Sequence, residues 1–175
     1  MKKINNKGFT LIEVLAVVVI IAIIGLIALP SVISTINTGK NASYDIIVKN
    51  ITTASIGLHE EISYTATELY HYDNNGKTET KVSVTNNKIE TNLQTLVSNG
   101  FLTGINNPNR NINNNNYKII TNPKTNEDIG ECKIIIIKTV DSNFNTSYKI
   151  EDNSNISKCP TTTEYQKALN IQEGD

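Results

Sequence analysis

The chain has 175 residues, with Lys+Arg 16 against Asp+Glu 17 and a formal net charge of -1, which fits one globular domain plus a specialised segment. Near-neutral charge removes any overall electrostatic reason to expect a nucleic-acid partner. Hydrophobic residues make up 38% of the chain but crowd at the N-terminus, leaving a polar remainder rich in Asn, Thr, Ser, Lys and Ile.

Residues Met1–Gly8 carry Lys2, Lys3 and Lys7 and no acid, and the following run Phe9–Leu29 is almost wholly apolar. At about 1.5 Å per residue a helix over that run spans roughly 31 Å, matching a hydrocarbon core about 30 Å thick. Basic residues before it, and none after it until Lys40, predict a cytoplasmic N-terminus and an outward-facing body. An ordinary secretory signal has a shorter apolar core and a small-residue cleavage site; the stretch Ala28–Ser31 contains Pro30 and fits poorly. A plain uncleaved anchor leaves Glu13 unexplained, because an acid at the centre of a membrane helix costs on the order of 2.5–3.5 kcal/mol, less near the helix end.

The string KGFTLIEVL, Lys7–Leu15, resembles the type III signal of type IV prepilins and pseudopilins: a basic leader ending in Gly, then Phe, then Glu as the fifth residue after the Gly. The resemblance implies cleavage between Gly8 and Phe9 by a prepilin peptidase, followed by N-methylation of the new Phe9 amine. It also implies a filament in which Glu13 of one subunit neutralises the Phe9 amine of its neighbour. An unpaired ammonium in an apolar setting is costly, so such a pair sets register while the apolar helices supply affinity. Further partners implied are other pilin subunits, an assembly platform, an assembly ATPase and, before assembly, membrane lipid. The expected location is a single-pass cytoplasmic membrane protein first and an extracellular pilus or cell surface afterwards.

Pro30 interrupts what is expected to be one long helix and predicts a kink, since proline removes a backbone hydrogen bond and crowds the preceding turn; the resemblance implies local melting there as subunits enter the filament. From Ile33, the residues Ile36, Lys40, Tyr44, Ile47, Ile51, Ala54, Leu58 and Ile62 follow at spacings of three and four, a helical stripe apolar at all but Lys40. Asn50, Thr52, Thr53 and Ser55 are expected on other faces, and Gly39 and Gly57 weaken the helix.

Beyond about Tyr64 the pattern shifts to short segments. Glu68–Tyr72 and Thr78–Val84 read as strands joined by the turn Asp73-Asn74-Asn75-Gly76, and Asn86-Asn87 as a second hairpin turn onto Lys88–Thr91. Asn92–Asn99 reads as a short helix capped by Asn92 and ended by Gly100, with Phe101 folding back on Leu96. The segment Leu96–Pro108 bears a weaker resemblance to a helix and turn of pilins and pseudopilins. Asn106–Asn116 is expected to be an exposed loop. Tyr117–Thr121, Cys132–Val140 and Thr146–Glu151 read as three antiparallel strands, the middle one central because of its run Ile134–Ile137.

Cys132 and Cys159 form an even count that, in an exported chain, favours one disulfide, worth about 3.5 kcal/mol on the chain-entropy account; two reduced buried thiols are the alternative. His59 and His71 are the only histidines, and HEEIS lacks the second His of a zinc-protease helix, so packing or surface roles are expected. No metal, cofactor or catalytic constellation is expected, and the chain reads as a non-enzyme.

The expected fold class is α+β: a long, partly transmembrane N-terminal helix whose C-terminal half packs on a small antiparallel sheet, as the pilin resemblance implies. The expected divisions are 1–8 leader, 9–30 membrane and filament-core helix, 31–64 amphipathic continuation, and 65–175 globular body. The expected function is a structural subunit, major or minor, of a type IV pilus serving adhesion, surface motility or aggregation. The alternatives are a pseudopilin of a type II secretion or DNA-uptake system and, from another class, a monomeric membrane-anchored extracellular binding domain.

Overall fold

The computed structural model describes residues 9–65, 68–73, 76–106 and 118–172. The leader Met1–Gly8, the centre of the turn at 74–75 and nearly all of the expected loop Asn106–Asn116 lie outside the described residues, as does Tyr117. The chain divides into two compact units, one reaching to Lys40 and the other running from Asn41. A single helix, α1 (Leu11–Tyr64), contributes residues to both.

In the first unit α1 is long and apolar enough to cross a membrane, and none of its apolar window is buried. It runs on through Pro30, where the missing proline N–H leaves one carbonyl of the preceding turn without its helical donor. The hydroxyls that follow are turned back onto the helix: Ser31 Oγ donates to the Ala28 carbonyl (2.9 Å) and Thr35 Oγ1 to the Ser31 carbonyl (2.9 Å). Such back-bonding satisfies the hydroxyls inside the helix itself, which is what an apolar surrounding demands.

In the second unit α1 buries Tyr44, Val48, Ile51, Thr52, Ala54, Ser55, Leu58 and His59. The expected stripe therefore holds from Tyr44 through Leu58, with Ile47 and Ile62 packed at its margins, while Ile33 and Ile36 stay exposed. Two residues expected on other faces, Thr52 and Ser55, are inside instead. Thr52 Oγ1 donates to the Val48 carbonyl (2.8 Å) and Ser55 Oγ to the Ile51 carbonyl (2.7 Å), so both enter the core with their polar atoms already partnered. His59 packs as well: Nε2 donates to the Asn87 carbonyl at 3.2 Å, and the ring meets Tyr148 edge-on with centroids 5.7 Å apart.

Among the described residues seven strands follow in three small antiparallel sheets. β1 (Tyr70–Asp73) pairs with β2 (Gly76–Lys81). β3 (Lys88–Asn92), β6 (Lys133–Val140) and β7 (Thr146–Asp152) form the main sheet with β6 central. β4 (Ile105–Asn106) and β5 (Lys118–Ile119) make a short ladder of their own. The register places Ile89 against Ile136 and Ile136 against Ile150, and all three are fully buried, so one row of isoleucines crosses the sheet as a continuous cross-strand contact.

Two expected pairings are corrected. The turn at Asn86-Asn87 forms, with both residues at positive φ, but it closes only the single bridge Thr85↔Lys88, and β3 takes β6 as its partner. The segment expected at 117–121 contributes β5 to the separate ladder rather than a third strand to the main sheet.

The short helix α2 (Leu93–Ser98) has Asn92 as its N-cap, accepting from Thr95 N at 2.9 Å. At its C-terminus Phe101 N reaches the Leu96 carbonyl (2.9 Å) and Gly100 N the Val97 carbonyl (3.2 Å). These are the two bonds of a Schellman motif, and they need Gly100 at φ 84°. A third helix, α3 (Thr162–Gln172), is absent from the sequence-based expectation. It begins with a reciprocal cap, Thr161 N donating to Glu164 Oε2 (2.8 Å) and Glu164 N to Thr161 Oγ1 (3.4 Å), and buries Tyr165, Ala168 and Leu169. Cys132, just before β6, and Cys159, just before α3, lie at disulfide distance with Cα atoms 5.7 Å apart. Beside them Lys158 and Glu131 form an ion pair at 2.9 Å.

Candidate functional site

The residues singled out by the sequence fall in two places. Phe9, Glu13 and Pro30 lie in the first unit, Cys132 and Cys159 in the second, and Gly8 lies outside the described residues. The structure brings the two cysteines together. Glu13 and Pro30 lie on α1, and Phe9 precedes it.

Phe9 and Thr10 precede α1, so Thr10 is its N-cap and Glu13 the third residue of the first turn. The Glu13 carboxylate turns back on the cap, with Oε2 accepting from Thr10 N (3.3 Å) and Thr10 Oγ1 (3.2 Å). This is the carboxylate half of a capping box, which satisfies an N–H that the helix ladder cannot reach. A negative charge in the first turn also complements the positive end of the helix dipole. Glu13 Oε1 accepts no hydrogen bond among the described residues. One oxygen of the carboxylate thus serves its own helix, and the other is open to a cation from outside.

Thr10 as the partner of Glu13 was missed in the sequence, although Thr10-Leu11-Ile12-Glu13 is itself the T-x-x-E signature of a capping box. Around this cap the surface is apolar. Phe9 is 80% exposed and Leu11 86%, and the run of exposed Val, Ile and Leu continues to Ile36. Fully burying one such side chain contributes about 1.5–3 kcal/mol. The segment therefore has a large affinity for an apolar surrounding that its own chain does not supply.

Residues 3–29 match the prokaryotic N-terminal methylation motif. The chain carries a type IV prepilin signal. That match spans the basic leader, the cap at Thr10 and Glu13 and the apolar run, and it ends just before Pro30. No curated protein and no solved structure matches the chain. The match supports a type IV pilin-like precursor in the general sense, which includes pseudopilins. A precursor of this kind implies processing by a prepilin peptidase and assembly with other pilin-type subunits. The single apolar helix fits the single-pass membrane anchor of a prepilin, and the α+β layout fits the pilin fold. The motif indicates a structural role and, indirectly, argues against an enzyme.

Proposed function

We propose that the chain is the precursor of a structural subunit, major or minor, of a type IV pilus. Cleavage between Gly8 and Phe9 releases the leader, Phe9 is N-methylated, and the subunit waits in the cytoplasmic membrane with its N-terminus inside and its body outside. In the filament, Glu13 Oε1 of one subunit takes the Phe9 amine of the next, while the apolar run to Pro30 packs among its copies and Pro30 marks where that helix yields. Adhesion, surface motility or aggregation is the use such a filament serves.

The observation that carries this reading is the coincidence of the methylation motif at 3–29 with an apolar window of α1 of which nothing is buried. A monomeric anchor needs the apolar run but has no use for an acid held at its start with one oxygen free. The test is the intact mass and N-terminal sequence of protein from cells, with sheared surface material assayed separately. A chain beginning at methylated Phe9 and enriched in the sheared fraction is expected. The same processed chain retained in the cell envelope selects the pseudopilin reading. A chain that keeps Met1–Gly8, or is cut near Ala28–Ser31, overturns both.

A further inference from the structure

The body from Asn41 onward carries a cleft of about 410 Å³ that plays no part in the reading above. Three stretches distant in sequence build it: Asp45–Lys49 of α1, the turn at Lys124, and Glu164–Ala168 of α3. That volume suits a small ligand. Val48 and Ala168, both buried, supply an apolar floor.

Charge surrounds the floor. Lys49, Lys124 and Lys167 and the acids Asp45 and Glu164 all line the cleft, yet no ion pair among the described residues involves any of them. Two are held in place by uncharged partners. Lys124 Nζ sits 3.6 Å over the Tyr44 ring, and the Tyr44 hydroxyl donates to Glu164 Oε2 at 2.9 Å. Burial, reinforced by the Glu164 carboxylate, pushes the Tyr44 phenol well above its ordinary range, so it stays a donor. Glu164 Oε2 also takes Thr161 N and Oγ1, whereas Oε1 accepts nothing among the described residues, and neither does Asp45.

Three cations against two anions leave one net positive charge, with one held acceptor, Glu164, and one free acceptor, Asp45, beside an apolar patch. A dianion such as phosphate would gain from the lysines but be repelled by both carboxylates. A monoanion with hydroxyl donors and a C–H face meets every group. We propose that this cleft binds an acidic sugar residue of the uronic-acid class, its carboxylate among Lys49, Lys124 and Lys167, its hydroxyls donating to Asp45 and Glu164 Oε1, and its ring lying on Val48 and Ala168.

The test is isothermal titration of the full chain, in a detergent that contains no sugar, with galacturonic acid and, as its neutral counterpart, galactose. Galacturonic acid is expected to bind saturably with a dissociation constant on the order of 1 mM, equivalent to about 4 kcal/mol, and galactose roughly tenfold more weakly, as loss of charge complementarity requires. Lys49 and Lys167 are both exposed, so the double variant Lys49→Gln, Lys167→Gln is expected to keep its melting temperature and lose binding roughly tenfold. The proposal is overturned by absent binding, by equal binding of galactose, by an unaffected double variant, or by inorganic phosphate binding as tightly as the sugar acid. None of these results bears on filament assembly.

Discussion

Within the one helix α1, Ile20 and Ile33 are each 56% exposed while Ile51 and Leu58 are fully buried. These four residues are alike in type and all helical, so the difference lies in what each stretch packs against. From Asn41 the helix buries its stripe against its own body, and even its polar members, Thr52, Ser55 and His59, enter with partners in hand. Up to Lys40 the hydroxyls of Ser31, Thr35 and Thr38 bond back in the same way, but among the described residues nothing buries the apolar window. Such a stretch gets its stability from lipid or from other helices, where packing and polar fit rather than water exclusion decide which helices associate.

The sharpest way to break that comparison is at Glu13. Glu13→Ala is expected to reduce pilus protein in sheared fractions by at least roughly tenfold, since it leaves a neighbouring ammonium unpaired in an apolar setting, while the body keeps its melting temperature. Loss of body stability in this variant would show that the two units are not independent. The reciprocal experiment is Leu58→Ala, expected to cost about 2–5 kcal/mol in denaturant unfolding of the full chain, whereas Ile20→Ala leaves that transition unmoved. Replacing both cysteines, Cys132→Ser with Cys159→Ser, is expected to cost about 3.5 kcal/mol, again without changing membrane insertion. Thr161→Ala, which removes the hydroxyl half of the cap on α3, is expected to lower stability by about 1 kcal/mol in the same unfolding assay.

The smallest effect is a pH dependence confined to the body. Partial burial lowers the pKa of His71 below its ordinary value, so as pH falls through the unfolded value near ~6.5 the unfolded chain takes up the proton first and stability drops. Melting temperature is expected to decline more between pH 7.5 and 5 in the wild type than in His71→Gln. An equal decline in both would remove His71 as the cause.

Where the sequence proved legible, the signal was local. Lys7–Leu15 is a contiguous string, and the run Ile134–Ile137 placed β6 at the centre of its sheet through unbroken hydrophobicity. The partner of β3 was not legible, because the Asn86-Asn87 turn is a sound hairpin signal that goes on to close only one bridge, and the choice of β6 over β2 rests on contacts more than forty residues apart in sequence. Thr52 and Ser55 were misplaced because polarity was read as exposure, whereas a hydroxyl bonded four residues back behaves as a small core residue. The helix α3 went unread even though Thr161 and Glu164 spell a capping box and Tyr165, Ala168 and Leu169 recur at helical spacing. Glu13 stands out by its spacing from Gly8, and the Thr-x-x-Glu pattern that pairs it with Thr10 lies in the same string.

The turn Asp141–Asn145 joins β6 to β7 inside the loop that Cys132 and Cys159 enclose, and its Phe144 is 88% exposed at positive φ. A highly exposed point of the body therefore lies on the ring that the Cys132–Cys159 bond closes. A protease that cuts the backbone there severs one strand connection but releases no fragment, since β6 and β7 stay joined through the sulfurs and through their own ladder. On the proposed pilus reading, a secreted protease that nicks the subunit there does not shed it.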